Sequence, residues 1–180
     1  DGISGQNYCS GDALIRSIAA LPIAGGGEVI YAGMFGSLNG GAILGGHILK
    51  ATFVPGDSAQ PEWSDLTFNP VANNQVSFNR YALDISDIFI DPHDPSGNTV
   101  YVTVAGIPDL YHAICTVYRT TDGGLHWNEI NSNIRTSPAN SIMVDPQDAN
   151  TVYVATDAGV FSTRKVSECI DARSNCWSVY

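Results

Sequence analysis

A unit written at least twice along the chain constrains its fold more than any single motif. Ile88-Phe89-Ile90-Asp91-Pro92 leads to Asn98-Thr99-Val100-Tyr101-Val102, and then to Thr120-Thr121-Asp122-Gly123-Gly124-Leu125-His126-Trp127. The order starts again with Ile142-Met143-Val144-Asp145-Pro146, Asn150-Thr151-Val152-Tyr153-Val154, Gly159-Val160-Phe161-Ser162-Thr163 and Cys176-Trp177-Ser178-Val179. A fainter copy lies upstream, in Ala13 to Ile18, Glu28 to Gly33, His47 to Ala51 and Trp63 to Leu66. Aligned on Tyr31, Tyr101 and Tyr153, the copies are 70 and 52 residues apart; the excess falls in the Gly-rich stretch 33–46 and the Asn/Pro stretch 68–80. Strand-like self-similarity at a period of roughly 40 to 50 residues is the pattern of propeller blades.

The segments themselves read as strands. Each short apolar run is rich in Val, Ile, Tyr and Thr and is bounded by Gly, Asp, Asn or Pro. Polar or small residues alternate with valine in Thr99 to Ala105, and no stretch has the periodicity of a long amphipathic helix. Proline has no amide proton for a ladder and aspartate caps turns, so Asp91-Pro92 and Asp145-Pro146 end the strands before them. The expected fold is all-β, a propeller-like array of about three four-stranded antiparallel blades in an incomplete ring. Residues 1–180 form a single segment with blade-like units at about 12–67, 84–130 and 141–180. A propeller protects its edges by closing a ring of roughly four to eight blades. Three blades do not close one, so the expected cover is the rest of a longer chain or further copies of this one.

Charge narrows the partners. With 8 Lys plus Arg against 18 Asp plus Glu, the formal net charge is −10, which excludes the basic footprint of a nucleic-acid binder and disfavours anionic membranes. No apolar run approaches the roughly 20 residues of a membrane helix, so no membrane insertion is expected. The chain opens on Asp1-Gly2-Ile3 without a start Met or a basic start, as a mature or excised chain would.

Four cysteines, Cys9, Cys115, Cys169 and Cys176, allow three pairings. Ile170 to Asn175 is a polar loop that a Cys169–Cys176 bridge would close before the last strand, leaving Cys9 with Cys115; buried reduced thiols are the alternative. Disulfides would place the protein outside the cytoplasm, secreted or periplasmic. No Cys-x-x-Cys or Cys/His spacing suggests zinc, and the four histidines, His47, His93, His112 and His126, share no ligand pattern. Gly25-Gly26-Gly27 leads into a strand with no Gly-Lys-Ser/Thr after it, so it is no phosphate loop. No metal and no cofactor are expected.

The run at Thr120, Asp122, Gly124 and Trp127 fits Ser/Thr-x-Asp-x-Gly-x-x-Trp, and in it the chain resembles the Asp-box, or BNR-repeat, β-propellers. That family includes sialidases, xyloglucanase-type glycoside hydrolases, sortilin-like receptor domains and photosystem assembly factors. The likeness is carried by about 84–180 and more faintly by 12–67. It implies that the box is a hairpin between the third and fourth strands of a blade, on the rim away from the catalytic face. The chemistry of the run agrees: an Asp at the head of a Gly-Gly turn accepts the turn's own amides, and Trp127 covers the hairpin. Asp122 is therefore expected to anchor structure and not to act as an acid. The third unit reads Ser162-Thr163-Arg164-Lys165 where a full box needs Asp and Gly, and the first has Trp63 alone.

The catalytic residues of these relatives find no match here. Glycoside hydrolysis usually needs two carboxyl groups flanking the bond. The candidates away from turns, Glu28, Glu62, Asp84, Asp87 and Glu129, form no evident pair. Sialidase-like chemistry implies an arginine cluster; Arg16, Arg80, Arg119, Arg135, Arg164 and Arg173 are present, but the Arg-Ile-Pro type of motif is not. Xyloglucanase-type enzymes carry a catalytic Asp near the second strand of the first blade, where this chain reads Tyr31-Ala32-Gly33-Met34-Phe35-Gly36. The expected function is a non-catalytic extracellular binding or scaffolding segment. The alternatives are a fragment of a secreted glycoside hydrolase whose catalytic residues lie on other blades, and a self-assembling structural subunit. The contact surface is expected in loops 33–46, 53–62, 68–80 and 106–113, with Phe35, Phe53, Phe78, Tyr81 and Tyr111 touching a glycan or protein ligand; packing between blades is the competing role for these aromatics.

Overall fold

A computed structural model describes residues 14–36, 46–72, 76–106, 116–134, 137–170 and 174–180. Twelve strands form three four-stranded antiparallel sheets, each a meander in chain order. The first blade holds β1 (Ile15–Ile23), β2 (Gly27–Met34), β3 (Ile48–Phe53) and β4 (Ser64–Asp65). The second holds β5 (Asp84–Ile90), β6 (Val100–Ala105), β7 (Val117–Thr120) and β8 (Asn128–Glu129). In the third are β9 (Ala139–Asp145), β10 (Asp148–Thr156), β11 (Gly159–Thr163) and β12 (Ser178–Val179), with a short 3-10 helix, Val166–Glu168, between the last two. The sheets stack side by side, β1 and β2 against β5, and β5 and β6 against β9, and close no ring among the described residues.

Two hydrophobic layers glue the stack. Val29, Tyr31 and Ile48 of the first blade meet Ile85, Ile88 and Val102 of the second. Tyr101 and Val117, from the second blade's opposite face, meet Ile142, Val144 and Trp177 of the third. The middle blade thus lies between two layers, which is why Val100, Tyr101, Val102, Thr103 and Val104 are all buried, whereas a strand with one wet face would alternate. Gly33 is small for the same reason: a Cβ there would lie 2.4 Å from the Ile85 side chain of the next blade.

The repeat extends to individual hydrogen bonds. Each first strand carries a bulge or register shift at the same height, at Ile15/Ser17, at Ile85/Asp87 and opposite Ala155/Thr156. The residue after the shift accepts from the next blade: Ile88 N donates to Ser17 Oγ at 3.1 Å, and Ile142 N to Asp87 Oδ2 at 3.1 Å. The Asp-Pro turns repeat too. Asp94 Oδ2 accepts the Thr99 amide and hydroxyl at 2.8 and 2.7 Å, and Asp148 Oδ2 accepts the Thr151 hydroxyl at 2.7 Å.

Candidate functional site

Antiparallel meanders sort the connections to two ends. The corners between the third and fourth strand of each blade (β3–β4, β7–β8 and β11–β12), including the Thr120 to Trp127 run, lie at the end where β2, β6 and β10 begin. The β2–β3 connection and the entry into β5 lie at the other.

The Asp-box hairpin joins β7 to β8. Thr120 Oγ1 donates to Asp122 Oδ1 at 2.8 Å and accepts the Gly124 amide at 2.9 Å. Asp122 also takes the His126 amide on Oδ1 at 3.0 Å, with the His126 ring at 2.8 Å from Oδ2. Burial works to raise the Asp122 pKa, but the His126 amide, the His126 ring and the Thr120 hydroxyl outweigh it, so the carboxyl sits below its ordinary value. Gly123 and Gly124 hold φ of 72° and 89°, in the left-handed region that a side chain disfavours.

The hairpin also reaches the blade before it. Lys50 Nζ lies 3.4 Å from Asn98 Oδ1 and 3.5 Å from the Gly123 carbonyl, Asn69 Nδ2 donates to the Gly124 carbonyl at 2.6 Å, and a Cβ on Gly124 would lie 2.5 Å from Leu66. Trp127 is fully buried, its amide donating to the Pro70 carbonyl at 3.0 Å and its carbonyl accepting Ala72 N at 2.6 Å. The Thr120 and Asp122 side chains thus bond within the hairpin and its backbone bonds to the preceding connection, while the His126 ring stays largely exposed.

The other end presents the candidate site. Phe35, just past β2, is 38% exposed, and the Arg16 guanidinium stacks on its ring at 4.9 Å. Arg16 is held by Asp84 Oδ2 at 2.8 Å, while Asp84 Oδ1 accepts the Gly36 amide. Tyr81 is 37% exposed, with Arg80 over its ring at 4.6 Å and Arg80 Nη2 donating to its hydroxyl at 2.6 Å. The backbone after Phe35 runs close to that after Tyr81, because a Cβ on Gly36 would lie 2.9 Å from the Ala82 carbonyl. Beneath them Asn79, at φ 45°, donates to the carbonyls of Gly46 and Leu83 at 2.8 and 2.7 Å, tying the ends of two connections together. Close by, the buried His47 ring sits 2.6 Å from Asp65 Oδ2. Burial raises the Asp65 pKa, but bonds from His47 and Thr67 more than offset it and leave the carboxyl below its ordinary value. Each of these exposed rings carries a guanidinium over it, and an exposed aromatic face is one that can stack against a sugar or an extended chain.

The remaining expected contact residues are scattered. Phe53 is 43% exposed at the Asp-box end, beside a cleft lined by Val54, Asp57, Gln60 and Glu62. At about 240 Å³ the cleft falls short of the roughly 300 Å³ of typical small-molecule sites. Phe78 does not belong to a contact surface: it is fully buried, its ring 4.5 Å from Trp127 and 4.7 Å from Tyr118, because the 66–80 connection folds back over the second blade. Tyr111, His112, Cys9, Cys115, Arg135 and Arg173 lie outside the described residues. Cys169 and Cys176 are joined by a disulfide with 5.2 Å between their Cα atoms, a bridge that suits an oxidising compartment.

Two carboxylates weighed as acids hold the fold instead. Asp84 braces Arg16, and Asp87 accepts Ser141 Oγ at 2.7 Å and Ile142 N from the third blade. Arg119 lies over the Tyr101 ring at 5.5 Å, along the blade. His93 and His126 pair with Asp91 and Asp122, and no cluster of His, Cys, Asp or Glu suited to a metal occurs among the described residues. The Arg16–Asp84 brace and the His47–Asp65 pair were not legible in the sequence. Arg16 and Asp84 are 68 residues apart and meet only when blades stack.

No protein-family model matches the sequence, and no curated protein matches it. Solved structures do. The chain superimposes on the GH74 xyloglucanase of Xanthomonas campestris at a TM-score of 0.52 and 18% identity, over 83% of this chain and 21% of that one. The GH74 enzyme of Niastella koreensis matches at 0.53 and 17%, over 88% of this chain and 22% of that one. An ancestral GH74 enzyme matches at 0.57 and 16%, over 95% and 22%. The chain therefore spans about a fifth of the length of the structures it matches, and at these identities the likeness is one of fold: three blades arranged as in part of a GH74 propeller enzyme.

Proposed function

We propose that this chain is a non-catalytic, extracellular glycan-binding segment built of propeller blades, and that Phe35 and Tyr81 are its sugar platforms. The observation that carries the reading is their placement: both rings are exposed and braced by Arg16 and Arg80, on connections whose backbones approach at Gly36 and Ala82, at the end opposite the Thr120 to Trp127 hairpin. Asp84 and Asp87, two of the carboxylates weighed as acids, are tied to Arg16 and to the third blade, which favours binding over hydrolysis. Glycan platforms of this kind gain from aromatic surface that loses little entropy on binding, and a guanidinium fixed against a ring supplies that rigidity.

The neighbours suggest which sugar to try first. Xyloglucan fragments, matched to the Xanthomonas campestris protein being a xyloglucanase, belong at the head of an oligosaccharide panel. Calorimetric titration should show binding without release of reducing ends, and Phe35→Ala should weaken it about tenfold or more, the scale of losing one stacked ring. Failure to bind any member of the panel would sink the proposal.

A second reading is favoured by all three similar structures being GH74 enzymes of which this chain covers 21–22%. There, the same blades are part of a secreted hydrolase whose catalytic carboxylates lie on other blades. Intact-mass measurement of the native polypeptide separates the two: a species well beyond 19.1 kDa supports the hydrolase, and 19.1 kDa opposes it.

A further inference from the structure

Phe68 leaves 65% of its surface in water, more than any other phenylalanine of the chain. Its place in the first blade follows from the strand register. β4 pairs Asp65 with Leu49, and the ladder runs one step further as Leu66 N donates to the Ile48 carbonyl at 2.9 Å. Carried on, that register sets Phe68 opposite Gly46, and the Phe68 ring meets the neighbouring His47 ring edge-on at 5.6 Å. On its other side Gly46 N donates to the Phe35 carbonyl at 2.7 Å. The backbones of Phe35 and Phe68 therefore flank one glycine, two strand spacings or about 10 Å apart. Gly46 also seats the segment that carries Tyr81. At φ 68°, a Cβ on it would strike the Leu83 carbonyl and lie 2.6 Å from the Ala82 carbonyl carbon. Three exposed aromatics thus branch from backbones that converge on a residue with no side chain.

The internal repeat shows that Phe68 is not exposed for want of a neighbouring blade. Thr67 Oγ1 accepts Ile48 N at 3.0 Å as Asn131 Oδ1 accepts Val117 N at 2.8 Å, so Phe68 and Ser132 are counterparts. Ser132 is 3% exposed because the next blade folds over it: its hydroxyl donates to the Ser174 carbonyl and accepts Cys176 N at 3.5 Å. The blade next to Phe68 turns the same corner in the tight Thr120 to Trp127 hairpin, whose Gly124 carbonyl takes Asn69 Nδ2 at 2.6 Å while Phe68 stays outside. One junction holds a buried serine where the other holds a phenyl ring in water. A lone exposed apolar side chain is ordinary, but one grouped with two other exposed aromatics has the pattern of a contact surface.

We propose that Phe68 is a third contact ring of the Phe35–Tyr81 site, and that the site takes an extended oligosaccharide lying across all three rings, not a single terminal sugar. This rests on the glycan-binding reading and deepens it. Rings spread over about 10 Å or more stack on different sugar units of one chain. Each further unit adds contact without a second loss of translational and rotational freedom, so affinity rises with length until Phe68 is reached.

Calorimetric titration with xyloglucan fragments of two to six backbone sugars, or the same lengths of whichever panel sugar binds, tests this. The unaltered chain should bind more tightly as the fragments lengthen. Phe68→Ala should weaken the longest fragments about tenfold, the scale of one stacked ring, and leave the shortest unchanged. Phe35→Ala should weaken every length, and Phe68→Tyr, which keeps a ring, should bind like the unaltered chain. Since Phe68 is exposed, its denaturation midpoint should not move in either variant. A Phe68→Ala chain that matches the unaltered one at every length, or loses affinity equally at every length, would overturn the third contact and leave the glycan reading standing. Failure of the unaltered chain to bind any fragment would sink the glycan reading, and this inference with it.

Discussion

Asp122 receives hydrogen bonds on both carboxylate oxygens, so its removal leaves the Thr120 hydroxyl and the His126 amide without their acceptor. Asp122→Ala should lower stability by about 1 kcal/mol, the scale of a bond to a half-exposed charge, and leave any binding at the opposite end unchanged. Chemical denaturation checks it; an unchanged midpoint would contradict the anchoring role. The repeated tyrosines make a sharper comparison. Tyr31 Oη donates to the Gly97 carbonyl at 3.0 Å, but the third blade's turn is two residues shorter and offers Tyr101 no counterpart, and its buried hydroxyl makes no bond of normal geometry. Burial pushes the Tyr101 hydroxyl up to about 12 against the pull of Arg119. Tyr31→Phe should therefore cost about 1 kcal/mol while Tyr101→Phe is near neutral, as denaturation midpoints would show. The Asp-box was legible from its own eight residues because its hydrogen bonds are local. Phe78 was not, because a loop aromatic and a core aromatic look alike until the connection folds over Trp127.

The three blades solve the corner between third and fourth strands (β3–β4, β7–β8 and β11–β12) differently. The second uses the Asp-box, the third a disulfide across a 3-10 turn, and the first an open loop from Val54 to Glu62 beside a shallow cleft. Thr120 and Thr163 occupy the same register and both accept an amide two residues on, at 3.3 and 3.1 Å, so the bridge takes over the corner where the box has lost its Asp and Gly. Replacing both Cys169 and Cys176 by Ser should cost about 2 kcal/mol, the loop-closure value for a short loop, read as a drop in denaturation free energy. Strand positions were legible because Val, Ile and Tyr alternate between turn residues. The pairing of first and second strands across blades was not, since it depends on bulges at Ile15/Ser17 and Ile85/Asp87 that leave no local signature.

Across the whole molecule, carboxylates hold turns and junctions in their charged form. Asp65, Asp94 and Asp122 all sit below their ordinary pKa, as burial is outweighed by hydrogen bonds from His47 and Thr67, from Ser96 and Thr99, and from His126 and Thr120. Around pH 4 the unfolded chain therefore binds more protons than the native one. Stability is complete above about pH 5 and falls as pH drops through the depressed native values. Denaturation curves between about pH 7 and pH 2 should show this loss on the acid side; stability that rose on acidification would oppose it.

On the proposed reading, the molecule divides into an end where the Thr120 to Trp127 hairpin holds structure and a Phe35–Tyr81 end that binds. Hydrogen exchange with and without an oligosaccharide taken from the titration panel measures that division most directly. Added protection is predicted at 14–16, 35–36 and 79–84, with none at 121–127; protection centred on the Asp-box hairpin would contradict it.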